Sequence, residues 1–220
     1  KTASGRCMRA SAGCRNLFYQ NHCRIPCGIH SVFSNTFIFD AENDGKEGYL
    51  YSLVTTSIIQ GIKSIPVYVE ADVSDGMPLF EMVGSLSPEV KESKERVRTA
   101  LKNTGYILPP KRITINFIPA NIRKTGSGFD LPVVAAVLCA IGIVPEEALK
   151  NTMVVGEISL SGDVKPVNGI LPMVAEAKER GVTRCIVPAE NQTEAQLVKE
   201  IEIFAVQSIA EMIHILNGGT

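Results

Sequence analysis

Along this chain the period of apolar and polar positions changes several times, and each change predicts an element. TTSIIQGIKSIPVYVEADVSDGMP, residues 55–78, contains two β-rich runs; IPVYVEADV alternates well, and Gly-Met-Pro closes it as a turn. A strand pair is expected there. Ser87-Pro88-Glu89 has the form of a helix start, with a hydroxyl cap, Pro at the first position and an acid in the first turn. Val90, Val97, Ala100 and Leu101 mark one face of that helix, and Gly105 ends it. RITINFIPA then alternates Ile113, Ile115 and Phe117 against polar partners as a strand. KTGSGFDLPVVAAVL, residues 124–138, opens with a Gly-Ser-Gly loop and continues as an apolar run to Ile141 that predicts a helix buried on most sides. Beyond it the pattern predicts strand NTMVVGEISL, turn SGD, return strand VKPV, helix LPMVAEAKERG stopped by Gly181, and strand RCIVP. NQTEAQLVK, IEIFAV and SIAEMIHIL close the chain as helix, strand and helix. A mixed β-sheet covered by helices on one or two faces follows from this order.

Residues 1–48 follow a different grammar. They start without Met, show little periodicity and end in the polar run DAENDGKEG, which reads as a linker. We expect a poorly ordered extension or upstream sequence read as protein, in which SVFSNTFIF has the composition to pair as an edge strand. The stretch lacks the charged, apolar and cleavage-site succession of a signal peptide. Cys7, Cys14, Cys23 and Cys27 fall here beside His22 and His30, but their spacing lacks the paired C-x2-4-C knuckles of zinc modules, so no metal site is expected. Cys139 and Cys185 lie in apolar settings that predict inert core thiols and fit a reducing cytoplasm.

Composition narrows the function classes. With 220 residues, 45% hydrophobic and 20% charged, the chain can bury one core. A formal net charge of −1 provides no overall field for nucleic acid or membrane, and no apolar run reaches the length of a spanning helix. From Tyr49 onward the chain has a single histidine, His214, which argues against Ser-His-Asp, Cys-His and H-E-x-x-H chemistry.

The Gly-Ser-Gly loop admits three readings: phosphate cradle, serine nucleophile loop, or tight turn into a helix. A Walker A loop needs its Lys after the last Gly, whereas Lys124 precedes both glycines and Asp130 stands at the helix start, where it repels phosphate. Nucleotide binding by this chain alone is therefore not expected. Asp130 is placed to cap the helix, at about 1 kcal/mol. Gly126 and Gly128 are expected to supply backbone freedom or close packing.

GSGFDLPVVAAVL, VVGEISLSGDVKPVNGILPMVAEAKERG and IVPAENQTEA, with VEADVSDGMPLFEMVG, VKESKERVRTALKNTGY and PPKRITINFIPANIRKTGSGFDLP before them, resemble the N-terminal domain of the magnesium-chelatase-like AAA ATPases, the YifB or ComM family. The resemblance covers about Leu50 to Leu216 and places the domain at residues 49–217. That domain in turn is similar to the proteolytic domain of Lon peptidases, which implies an α+β fold of the ribosomal protein S5 domain 2 type. It also implies a Ser-Lys dyad to look for. Ungapped matching puts Gly128 at the position of the Lon serine, with Ser127 one residue early, and Met173 at that of the lysine. A serine hydroxyl needs a base, and a thioether is none. The dyad thus reads as vacated, and Lys165 and Lys178 are the nearby lysines that a peptidase using Ser127 would have to recruit.

By the same resemblance, the whole family protein places this domain ahead of a AAA+ module that binds ATP and Mg, forms rings with neighbouring subunits and, in some relatives, acts on DNA. This chain is expected to be the accessory half, for subunit packing or partner binding. One local patch, Lys94, Arg98, Lys102, Lys111, Arg112, Arg123 and Lys124, is a candidate nucleic-acid or partner surface. Interleaved Glu89, Glu92 and Glu95, with Glu92 to Arg96 as an i,i+4 pair, favour a salt-bridged solvated face instead.

Overall fold

A computed structural model describes residues 50–219 of the chain. The expectations for residues 1–48, including the cysteine cluster and the linker, lie outside the described residues. Strands β1 (Leu50–Gln60) and β2 (Lys63–Ser74) form the expected hairpin, in unbroken register from Leu50 against Val73 to Gln60 against Lys63. Val54 and Ile58 of β1 and Val67, Val69, Ala71 and Val73 of β2 are buried, so the period-2 pattern sets one face against the core.

Gly-Met-Pro closes β2 as a turn, as the sequence pattern suggested. It leads into a further strand, β3 (Leu79–Val83), which pairs in parallel with β4 (Arg112–Ile118). Only Phe80 of β3 is fully buried, while Leu79, Glu81 and Val83 are exposed, so the strand lacks the apolar weight that marks its neighbours.

β5 (Thr152–Val154), β8 (Arg184–Pro188) and β9 (Glu202–Val206) complete a seven-stranded sheet in the order β3-β4-β2-β1-β5-β8-β9. Only the pairings made by β2 are antiparallel, and the sheet is mixed. On one face, α1 (Pro88–Asn103), α2 (Asp130–Ala140) and α5 (Ile209–Leu216) share a core with Val54, Val69, Ile115 and Phe117. On the other, α3 (Ile170–Glu179) and α4 (Gln192–Ala195) cover Met153, Cys185 and Val187. The outcome is an α+β fold in which α2 is buried along its whole length, as its unbroken apolar run predicts. Among the described residues no helix is long and apolar enough to cross a membrane.

At α1 the stops follow the sequence and the cap does not. Pro88 is the first residue of α1 and Gly105, at φ +89°, follows its end, but the Ser87 hydroxyl makes no capping bond. Cys139 and Cys185 are buried free thiols whose burial pushes them up to about 11 and about 12, which fits inert core positions.

NTMVVGEISL is not one strand. The chain leaves the sheet after Val154 and turns at Gly156 into β6 (Glu157–Ile158), which pairs with β7 (Val164–Lys165) in a separate two-stranded sheet. Gly156 lies against the start of α2: a Cβ there would stand 3.0 Å from Leu131 Cδ2. Gly156 N–H donates to Gly128 O at 3.1 Å, and Leu131 N–H donates to Gly156 O at 3.0 Å. That close approach draws the chain beneath the Gly-Ser-Gly loop.

Candidate functional site

The segment 119–129 between β4 and α2 is tied first by its backbone. Lys124 N–H donates to Ser85 O at 2.8 Å, and Ser87 N–H donates to Lys124 O at 2.9 Å. The Lys124 side chain is fully buried, so it cannot join the surface patch proposed from the sequence. Its ammonium donates to Phe117 O at 3.2 Å and to Pro119 O, while its stem fills core space. Burial without a carboxylate partner pushes its pKa down.

Asp130 does not cap α2. Phe129 occupies the capping position, and Asp130 is the first helical residue, with a side chain that is fully buried. Its carboxylate accepts from Arg96 Nε at 2.8 Å, from Arg96 Nη2 at 3.0 Å and from Ile158 N–H at 3.3 Å. A carboxylate removed from water needs a charged, hydrogen-bonded partner, and the two-pronged guanidinium supplies it. Arg96 also donates to Glu89 O at 3.2 Å, so the pair joins α1, α2 and β6. The hydrogen bond to Asp130 raises the Arg96 pKa against the opposing effect of burial, and the charges of Asp130, Glu157 and Glu92 add to it. Against Glu92, its expected helical partner, Arg96 makes only a 4.0 Å contact.

Gly128, one of the two positions matched to the Lon dyad, lies between these ties, and Met173, the other, lies on α3. Gly126, at φ +87°, takes a conformation that side chains resist. Gly128 has an ordinary φ, and a Cβ there would stand 3.5 Å from both Val155 and Val167. Met173 is buried in α3, in the same apolar cluster as Val155 and Val167. Ser127 is half-buried and its hydroxyl donates to the Glu157 carboxylate. Lys165 is exposed on β7, Lys178 pairs with Glu200 at 2.7 Å, and His214 is exposed on α5.

Sequence reasoning missed two residues beside this site. Asn191 accepts from Val167 N–H and donates to Val167 O, each at 2.9 Å, and so fixes the loop before α3 from both sides. Glu194 accepts from Leu171 N–H at 3.0 Å and caps α3 from another element, where Gly169 at φ +80° offers no side chain. The bonds span 24 and 23 residues, and nothing local in PAENQTEA announces them.

The basic patch divides. Lys111 pairs with Asp75 at 3.0 Å, Arg112 with Glu81 at 3.1 Å and Arg98 with Glu95 at 3.8 Å. Lys94 is half-buried, and Lys102 and Arg123 are exposed. The residues at the Gly-Ser-Gly loop do not fit a nucleotide: the Lys124 ammonium faces backbone carbonyls, and an acid paired with Arg96 occupies the start of α2. Among the described residues, no group of three or more His, Cys, Asp or Glu is placed to hold a metal ion.

Comparison with known proteins places this geometry. The family model described as subunit ChlI of Mg-chelatase matches residues 69–191, more than half of the chain. An uncharacterized protein of Mycobacterium tuberculosis is 40% identical over 162 residues, covering 74% of this chain and 32% of that protein. Competence protein ComM of Haemophilus influenzae is 33% identical over 167 residues, covering 76% and 33%. Lon protease 2 of Bacillus subtilis is 35% identical over 146 residues, covering 63% and 26%, in keeping with the mixed sheet and its flanking helices. The chain spans about a third of the length of the first two relatives. It belongs to the magnesium-chelatase-like family, in the group that contains ComM and YifB.

Proposed function

We propose that this domain is a non-catalytic accessory part of a magnesium-chelatase-like AAA+ ATPase, serving subunit assembly or partner binding, with ATP and Mg held by a module beyond this chain. One observation carries the reading: the two positions matched to the Lon dyad are a glycine facing Val155 and Val167 and a methionine buried in the apolar cluster that holds both valines. Such a site offers neither nucleophile nor base. ComM is named a competence protein, which supports DNA processing as the work of the whole assembly.

A serine peptidase using Ser127 is the competing reading, supported by the likeness to Lon protease 2. It asks for a neutral lysine beside the hydroxyl, whereas Ser127 donates to Glu157, whose charge is set against Arg96. Casein cleavage by the wild-type chain and by Ser127→Ala separates the two. No turnover by either protein is expected; cleavage that disappears with the hydroxyl overturns the accessory reading.

A further inference from the structure

The outer edge of the sheet carries a surface that the vacated dyad does not explain. Leu79 N–H donates to Lys111 O, so by strand alternation the N–H and C=O groups of Phe80 and Met82 point away from β4. β3 ends the sheet order, and among the described residues no strand meets those groups. Helix α1 packs against β3 and against α2. At about 100° per residue, Lys91, Lys94, Arg98 and Lys102 fall in one stripe roughly 80° wide and about 16 Å long. Arg96 lies on the opposite flank, where it reaches Asp130 at the start of α2. The stripe therefore borders the free edge of β3. Lys91, Arg98 and Lys102 are exposed, and Glu95 is the acid that pairs within the stripe, with Arg98 at 3.8 Å.

We propose that the β3 edge and the basic stripe of α1 form a docking site for an extended acidic peptide, which adds a strand to the sheet. Side chains of an added strand point alternately to its two faces. Acidic residues on one face meet the stripe, while apolar residues on the other continue the exposed Leu79 and Val83 of the open sheet face. Charge selects this occupant. Two copies of the chain paired edge to edge through β3 would bring two stripes of like charge together. A nucleic acid would use the stripe and leave the backbone groups of Phe80 and Met82 unpaired. The site is separate from Gly128 and Met173, and the proposal stands whether or not Ser127 cleaves peptides.

Fluorescence anisotropy with the full chain tests it, using a labelled peptide of about eight residues alternating Val and Glu. Saturable binding is expected, weakened about tenfold or more by the exposed pair Lys91→Glu and Arg98→Glu with an unchanged circular dichroism spectrum. N-methylation of alternate peptide nitrogens should abolish it, because the edge groups then lack partners. Absence of saturable binding overturns the proposal, as does equal binding of the N-methylated peptide. Displacement of the peptide by a single-stranded oligonucleotide that binds more tightly, and loses affinity in the same variant, assigns the stripe to nucleic acid instead.

Discussion

The two loops that lead into α2 and α3 are held by different chemistry. The one before α2 is fixed by charge: a buried lysine against carbonyls, the Arg96–Asp130 pair, and Ser127 on Glu157. The one before α3 is fixed chiefly by a neutral amide, Asn191, which satisfies both backbone groups of Val167, with Glu194 receiving the Leu171 N–H where the helix begins. Neither needs a nucleophile or a base. The difference teaches that two neighbouring loops can be held by structural contacts of unlike kinds, and that they should fail by different amounts.

Removing the guanidinium should have the largest effect. Arg96→Ala leaves Asp130 buried and unpaired, and stability should fall by about 3 kcal/mol, read from the urea midpoint. Asn191→Ala should cost about 2 kcal/mol, with faster amide exchange at Val167. Equal losses in the two variants would break the contrast between a charged and a neutral anchor. Lys124→Met sharpens it with the smallest change, within about 1 kcal/mol near neutral pH. The Lys124 pKa is pushed below its ordinary 10.5, so between the two values the unfolded chain binds more protons than the folded one. The wild type should therefore gain stability over Lys124→Met as pH rises from neutrality through the folded pKa toward 10.5, and a flat difference would show that the ammonium is not desolvated.

Much of this was legible where the signal is local. The hairpin, β4, β8, β9, the Pro88 start of α1, the Gly181 stop of α3 and the buried α2 all follow from period, turn chemistry or an apolar run. What escaped depends on distant partners. Asp130 has the local signature of a cap, yet Arg96, 34 residues earlier in the chain, claims its carboxylate. Lys124 reads as a surface cation until the Phe117 and Pro119 carbonyls at the end of β4 receive its ammonium. β3 is short and turned outward, and NTMVVGEISL breaks where Gly156 exchanges hydrogen bonds with Gly128 and Leu131 at the start of α2. For the dyad itself, the structure adds what surrounds Gly128 and Met173, which no pattern in the chain contains.

The position of β1 has a consequence for the order of assembly. Its one edge is filled at once by β2, the next strand along, but its other edge waits for β5, which enters in parallel with Thr55 opposite Met153. On the ribosome, the hairpin, β3, β4, α1 and α2 all emerge before that partner. Until Thr152 arrives, β1 presents bare backbone groups to solvent, the kind of surface on which nascent chains join one another. A chain halted just short of β5 would carry two open strand edges, that of β1 as well as that of β3, so the span from α2 to β5 is the stretch of synthesis over which the domain is most exposed to pairing with another nascent chain.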